Sequence, residues 1–480
     1  MRVPRSLLPL CVLFICACPL PEGHKRDTAD HESRPDSTTD DSGDSHETGA
    51  TGDTGESGDT GGPVILSDLS WRLHDSIGSF VIVTWTQSRE ARVHVEYSFD
   101  EGEWHSAPER EGKRGTQEQI LVGVPYGIDA SWRVVAEDFE AEGEVLRTAD
   151  APTGLPLATV EVANPDKWLP EGKYLLTSIN QDVGGWTGGT YWSFIVDRQG
   201  RPVWAVVTPD RNWTLFTQVS ATRDYLLLDE ATYWSDWDEG AGSRIHKRWL
   251  DEEFEVLAAS GLHHAFVQLP DETLVWGSQN HGGSEALVEM RTDEVAPRVI
   301  WTCQEDWPGY RYCESNGLFY SVERDTFLYS FYTNNSIVEV DHATGESLWW
   351  AGTVADGYAF DPVDSQFSWQ HGISYTEAGT LLVSTAARRT TWVREYEMDD
   401  ENAELVEIWN YDPGIRANTN GDAWRLSNGN TLHLLGSAGY LNEVDPLGEP
   451  VWSLDFDGER LLGRGEYIED LYTLLSPIWR

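Results

Sequence analysis

The sequence predicts an all-β chain with many turns, and three observations carry that prediction. Tryptophan (23) and glycine (44) are plentiful while methionine (3) is scarce. Long stretches with a helical hydrophobic period are absent; short runs alternating apolar and polar residues recur between turn residues instead. Beyond Pro156 those runs repeat with a period of roughly 35 to 50 residues, the range of stacked-sheet and solenoid units. The 480 residues leave room for two or three domains and a sizeable core. A formal net charge of −47 argues against nucleic-acid binding and against adsorption to anionic lipid, because phosphate would repel such a surface.

Taken in order, the chain opens with MRVPRSLLPLCVLFICAC. Arg2 and Arg5 precede an apolar stretch from Leu7 to Ala17, the pattern of a signal peptide and too short for a membrane-spanning helix. Its end, Ile15-Cys16-Ala17-Cys18, resembles a bacterial lipobox, with Cys18 as the lipidated first residue of the mature protein; plain secretion with cleavage elsewhere is the other reading. A covalent lipid would tether the protein in the bacterial cell envelope, at the outer membrane or in the periplasm, without any spanning segment. Residues 1–18 thus read as a lipoprotein-type export signal, and residues 19–62 as a disordered acidic stalk. Asp, Glu, Ser, Thr and Gly dominate the stalk, so it cannot bury enough surface to offset its ordering entropy. Its carboxylates lack the ligand spacing of a calcium site.

Of the five cysteines, Cys11, Cys16 and Cys18 belong to the export signal. Cys303 and Cys313 remain, inside WTCQEDWPGYRYCES. Flanking a Trp-Pro-Gly turn in an exported protein, they read most simply as a disulfide closing a surface loop; a two-cysteine metal site would lack partners.

Residues 63–155 read as a small β-sandwich. Strands such as FVIVTWTQ, ARVHVEYSF, QEQILVGV and SWRVVAED alternate in polarity and are separated by short turns such as DEGEW. The pattern resembles a fibronectin-III-like module with Trp85 and Trp132 as core aromatics.

Residues 156–480 carry the repeats. The unit runs through a short strand, a turn, an apolar strand, a strand ending in Glu-Val-Asp or similar, a glycine turn and a strand carrying tryptophan. GDAWRLSNGNTLHLLGSAGYLNEVDPLGEPVWSLDF (421–456) shows it most cleanly, and NGLFYSVERDTFLYSFYTNNSIVEVDHATGESLWWAG (316–352) follows the same grammar. Residues 263–302 and 370–411 do too, and two looser copies precede them. Four short strands per unit at this period predict a β-propeller, in which stacking around an axis buries both faces of every sheet. The count is six blades, with a seventh left open by the terminal YIEDLYTLL. Trp204, Trp301, Trp349, Trp409 and Trp452 fall at one position of the unit and are expected between blades.

In a propeller the first strand of each blade lines the central channel, so residues at strand starts converge on one mouth. Aligning the units on Leu274, Phe327, Leu381 and Leu432 places His264, His371 and Asp422 at one shared upstream position. In the remaining unit that position is Gly317, with Glu314, Ser315 and Asn316 beside it. Polar, hydrogen-bonding side chains recur where packing alone does not call for them. A histidine at a strand start otherwise caps a loop, but the adjacent His263 and His264 together with His371 favour a site.

Over roughly residues 64–480 the chain resembles the bacterial arylsulfate sulfotransferases, exported six-bladed propellers preceded by a small β-domain. The resemblance rests on the order and spacing of four pieces: the His-His pair before LPDETLVW, SIVEVDHATGESLWWAG, the Trp-Gln-His of SWQHGISYTEAGTLLVST, and RLSNGNTLHLLG. It implies transfer of a sulfuryl group from a phenolic sulfate ester to a phenol, with neither nucleotide donor nor other cofactor. It further implies a nucleophilic histidine matching His371, and sulfate held by His264 or His263 and by Asn316. Neutral imidazole is a good nucleophile near pH 7, and a covalent relay splits one difficult transfer into two easier ones.

Two positions depart from the family pattern. Glu314 stands where the family has a histidine, and Phe331 where it has an arginine; a carboxylate at the first would repel sulfate. Arg388 and Arg389, after LLVSTA in the His371 repeat, are candidates to compensate, or else solvated loop charges. Asp422 sits in Gly-Asp-Ala where many relatives read His-Asp-Ala. Two other functions fit the same residues. One is a non-catalytic surface-binding or adhesion propeller, which Glu314 and Phe331 favour. The other is a metal-dependent hydrolase using His263, His264, His371 and Asp422. The expected partners are a small aryl sulfate and a phenol, with membrane contact through the lipid alone.

Overall fold

The computed structural model describes residues 62–100, 102–137, 139–184, 189–208, 212–232, 240–281, 284–291, 293–307, 313–386 and 389–480. Residues from Gly62 to Arg480 form one compact unit. The proposed export signal and almost all of the proposed stalk, Cys18 included, lie outside the described residues, as does Arg388.

The fold is all-β and its sheets are almost wholly antiparallel. The first two sheets face each other across a core. One joins Leu66–Leu73, Val81–Gln87 and Gly115–Leu121; the other is built on Ala91–Ser98 and Asp129–Ala136. Alternation decides which side chains turn inward: Val93, Val95 and Tyr97 from one strand meet Trp132 and Val134 from the other, all buried. Trp85 and Trp132 are core residues, as the sequence pattern requires.

Six further sheets of four or five strands follow among the described residues. In five of them four strands follow the chain from an inner strand outward, and two of these five add an outermost strand from earlier in the chain, Thr159–Ala163 and Ala359–Asp361. Their inner strands are Gln218–Val219, Leu262–Gln268, Ser315–Ser321, Ile373–Tyr375 and Asp422–Arg425. In the sixth, the strands Tyr174–Val183, Tyr191–Asp197 and Pro202–Val207 come from the first repeat, but the inner strand is Arg460–Ile468 from the end of the chain. Successive inner strands pack side by side, and Arg460–Ile468 lies against both Gln218–Val219 and the sheet of Asp422–Arg425, so the series returns on itself as a β-propeller does. Of the terminal YIEDLYTLL, only Tyr467 and Ile468 belong to this closing strand. Leu471–Leu474 turn into a 3₁₀ helix whose Leu471, Tyr472 and Leu474 pack into the sandwich core.

The repeated tryptophans explain how neighbouring sheets are held. Each lies on the outer strand of its four-strand core, and each indole N–H donates to the next sheet or the turn that follows one of its strands. Trp204 reaches the Leu250 carbonyl (2.8 Å) and Trp301 the Ser347 hydroxyl (2.9 Å), while Trp349 shares its N–H between Glu339 of its own sheet and the Tyr375 hydroxyl of the next (3.2 Å). Trp409 reaches the Pro446 carbonyl (3.0 Å), and Trp452 reaches the Arg198 carbonyl (2.9 Å). A large apolar body with one donor suits a seam that is dry except for a carbonyl or hydroxyl. The aligned residues Leu274, Phe327, Leu381 and Leu432 all lie at the start of the second strand, paired with Gln268, Tyr320, Tyr375 and Trp424 near the end of the first.

Candidate functional site

The starts of the inner strands bring the sequence-aligned polar residues together. His371 precedes Ile373–Tyr375, and its backbone N–H donates to the Ser384 carbonyl at 3.1 Å. Its Nδ1 lies 3.0 Å from the Trp369 carbonyl oxygen. A carbonyl only accepts, so Nδ1 carries the proton and Nε2 keeps its lone pair. Desolvation pushes the His371 pKa down to about 4, against the opposing pull of the Trp369 carbonyl, so the ring is neutral at pH 7. Trp369 holds that carbonyl in an unusual backbone state, with φ at +51° in a bulky residue, which costs about 1–3 kcal/mol. The Asn335 side-chain oxygen pins it by accepting the Trp369 N–H at 2.8 Å.

Two glycines let the inner strands close around this histidine. A Cβ on Gly317 would stand 2.5 Å from the His371 carbonyl oxygen, and one on Gly372 would stand 2.6 Å from the Asp422 Cα. The first contact explains why one repeat carries glycine at the aligned position: the backbone of His371 occupies the space. Asn316 is fully buried next to it. Its amide N–H donates to the Gln370 carbonyl and its oxygen accepts from the Ser330 hydroxyl at 2.9 Å. Gln370, also fully buried, donates to Ser330, Phe331 and Ser336, each at 3.1 Å. Asn316 therefore anchors the backbone that carries His371, while lining a narrow crevice with it.

His263 and His264 open the strand Leu262–Gln268, both buried, with their Nδ1 atoms 2.6 Å apart. The Nε2 of His263 lies 3.1 Å from Oε2 of Glu285. Glu285 is a fully buried carboxylate that also accepts from the Ser315 hydroxyl (2.8 Å), the Gln279 amide (2.7 Å) and the Tyr329 hydroxyl. Since a carboxylate only accepts, His263 presents Nε2–H to it, and one proton lies between the two Nδ1 atoms. Burial, then the neighbouring His263 and His371 rings, push the His264 pKa well down. Glu285 lies in a different strand, Ser284–Met290, where its acidic residue type gave no sign of a partner.

Asp422 is at the same mouth but is fully engaged: Oδ2 accepts from Arg464 Nε at 2.9 Å and from the Trp424 indole at 2.7 Å. It therefore does not join the histidines as a ligand set, and among the described residues no three His, Cys, Asp or Glu side chains converge where a metal ion could sit. Arg464, from the closing strand, lines the crevice with His371 and Asn316. Asn420 lines it too, with φ at +54°, only 6% exposed, and neither amide atom hydrogen-bonded among the described residues. These two residues and Glu285 are what sequence reasoning missed. Asn420 lies just upstream of the aligned position, and the arginine comes from a strand outside the repeat alignment.

Glu314 is half-buried and accepts from the Tyr332 hydroxyl. Phe331 is buried among Trp301, Trp307 and Tyr329, so an aromatic cluster occupies the place compared with the family arginine. Arg389 is exposed. Cys303 and Cys313 form a disulfide, with Cα atoms 6.3 Å apart.

No family model and no curated protein matches the chain. Solved structures similar to it include a protein of unknown function from Bacteroides caccae, 13% identical over 60% of this chain and 97% of that one, with a TM-score of 0.40. A Cps50 (Swd1) β-propeller domain from Myceliophteria thermophila is 14% identical over 62% and 86%, TM-score 0.36. A putative TolB from Agrobacterium tumefaciens is 12% identical over 62% and 98%, TM-score 0.35. Likenesses of this size carry no argument about function.

Proposed function

We propose that this chain is an exported six-bladed propeller with a fibronectin-III-like sandwich that transfers a sulfuryl group between phenols through His371. The observation that carries the reading is the imidazole itself: neutral, with Nδ1–H donated to the Trp369 carbonyl and the Nε2 lone pair left for attack. Nε2 attacks sulfur, an N–S bond forms, and the bond from sulfur to the phenolic oxygen breaks. The phenolate leaves and takes a proton from solvent. An acceptor phenol then attacks sulfur, the N–S bond breaks, and the acceptor's proton passes to solvent. Asn420, whose amide atoms have no hydrogen-bond partner among the described residues, supports this reading as a donor to a non-bridging sulfate oxygen. No diffusible cofactor is required, and partners are an aryl sulfate and a phenol. Tethering through Cys18 to the cell envelope belongs to the same proposal; labelled-lipid incorporation lost in Cys18→Ser tests it.

Turnover of a chromogenic aryl sulfate with and without added phenol tests the reaction. Release that depends on both phenol and His371 is expected; release that persists in His371→Ala refutes the role. A binding-only propeller is the second reading, favoured by the Glu314 carboxylate at the mouth and by Phe331 in place of a cation. It predicts saturable ligand binding with no phenol release.

A further inference from the structure

Beyond the imidazole crevice, the channel holds a second space. A chamber of about 480 Å³ is lined by the later halves of the inner strands, with Phe216 and Arg464 shared between it and the crevice. Its volume lies in the range of small-molecule sites, about 300–1,000 Å³. Exposed Arg223 and Ala221 stand on its rim, so it is open to solvent. Phe216, Phe319 and Trp424 give it aromatic walls, and each of its three arginines pairs with a carboxylate: Arg223 with Glu466, Arg425 with Glu395 and Arg464 with Asp422.

Arg464 is the informative residue. Its side chain is only 14% exposed, packed 5.0 Å from the Trp424 ring and 5.9 Å from Phe216. Nε donates to Asp422 at 2.9 Å and Nη1 reaches the Leu318 carbonyl at 3.5 Å. A guanidinium has five N–H donors. The others have no partner among the described residues, and Arg464 lines both the chamber and the crevice. A mostly buried cation with unused donors in planar array suits an oxyanion.

We propose that this chamber binds a small aromatic monoanion, its ring against Phe319 and Trp424 and its anionic group on Arg464 at the junction with His371. This rests on the transfer reading for the identity of the anion as an aryl sulfate ester. On this view Arg464, from the closing strand, supplies the cation that Phe331 does not, and the aryl end enters from the side opposite Trp369.

Calorimetric titration of the full chain with 4-nitrophenyl sulfate tests the proposal in wild type, His371→Ala, Arg464→Gln and Val267→Trp. The last fills the chamber without touching the Arg464–Asp422 pair, and circular dichroism checks that each variant folds. With His371→Ala as the background that prevents turnover, binding weakened about tenfold or more by Arg464→Gln and by Val267→Trp is expected. No binding by wild type, or undiminished binding by folded Arg464→Gln and Val267→Trp, overturns it. Arg464-dependent binding without any turnover would leave the chamber standing and sink the transfer reading. His371-dependent turnover undisturbed by Val267→Trp would do the reverse.

Discussion

At the starts of its inner strands the channel is crowded with imidazole, amide and buried carboxylate, whereas towards their ends it widens into an aromatic chamber. The first region is held by its own hydrogen bonds: His371 to Trp369, Asn316 to Gln370, and His263 to Glu285. The second is held by aromatic packing and leaves donors of Arg464 unused. The difference assigns them separate tasks. A rigid, desolvated cluster suits a group whose protonation must be fixed, and an open aromatic space suits a ligand that comes and goes.

The sharpest way to separate the two regions is His371→Ala, expected to abolish transfer while the chain stays folded and the chamber still binds; parallel rate, circular-dichroism and titration measurements check it. Gly372→Ala comes next. Its Cβ would press on the Asp422 Cα, and the strand must move to relieve it. A displacement of about 1 Å at the nucleophile can cost about a hundredfold in rate, with about 1–3 kcal/mol of stability lost to overpacking. Steady-state kinetics and a thermal melt read both.

Glu285→Gln is a smaller change with a distinctive signature. It leaves a buried donor without its acceptor, at about 1–3 kcal/mol, and removes the charge behind His263. The expected outcome is a displaced pH–rate profile with KM nearly unchanged; an unaltered profile would make Glu285 a packing residue only.

Much of the first region was legible in the sequence. Repeat alignment located the strand starts, because strand length and turn spacing are local properties, and it thereby found His264, His371 and Asp422. Asn316 was found on its residue type, yet it anchors the Gln370 carbonyl, a long-range bond that no spacing encodes. Glu285 stands two strands away from its histidine in the same sheet, and Asp422 turned out to be committed to Arg464. The chamber was not legible at all. Its walls come from mid-strand positions of several repeats, and its cation from a closing strand that pairs with residues nearly three hundred positions earlier in the chain.

The smallest expected effect is a pH dependence of stability. Desolvation pushes His371 down to about 4 and His433 down to about 3, from an ordinary value of 6.5. Between these values the unfolded chain binds more protons, so the contribution is intact above pH 6.5 and is lost as pH falls towards 4. Urea melts at several pH values should show that decline, and His371→Ala should flatten part of it.

The central claim is that neutral His371 accepts a sulfuryl group on Nε2. Mixing the full chain with an aryl sulfate in the absence of phenol, quenching in base and weighing the peptide that contains His371 tests it directly. The account predicts a gain of one sulfuryl group on that histidine, removed on adding phenol. An unmodified His371 peptide, recovered while aryl sulfate is being consumed, would contradict it.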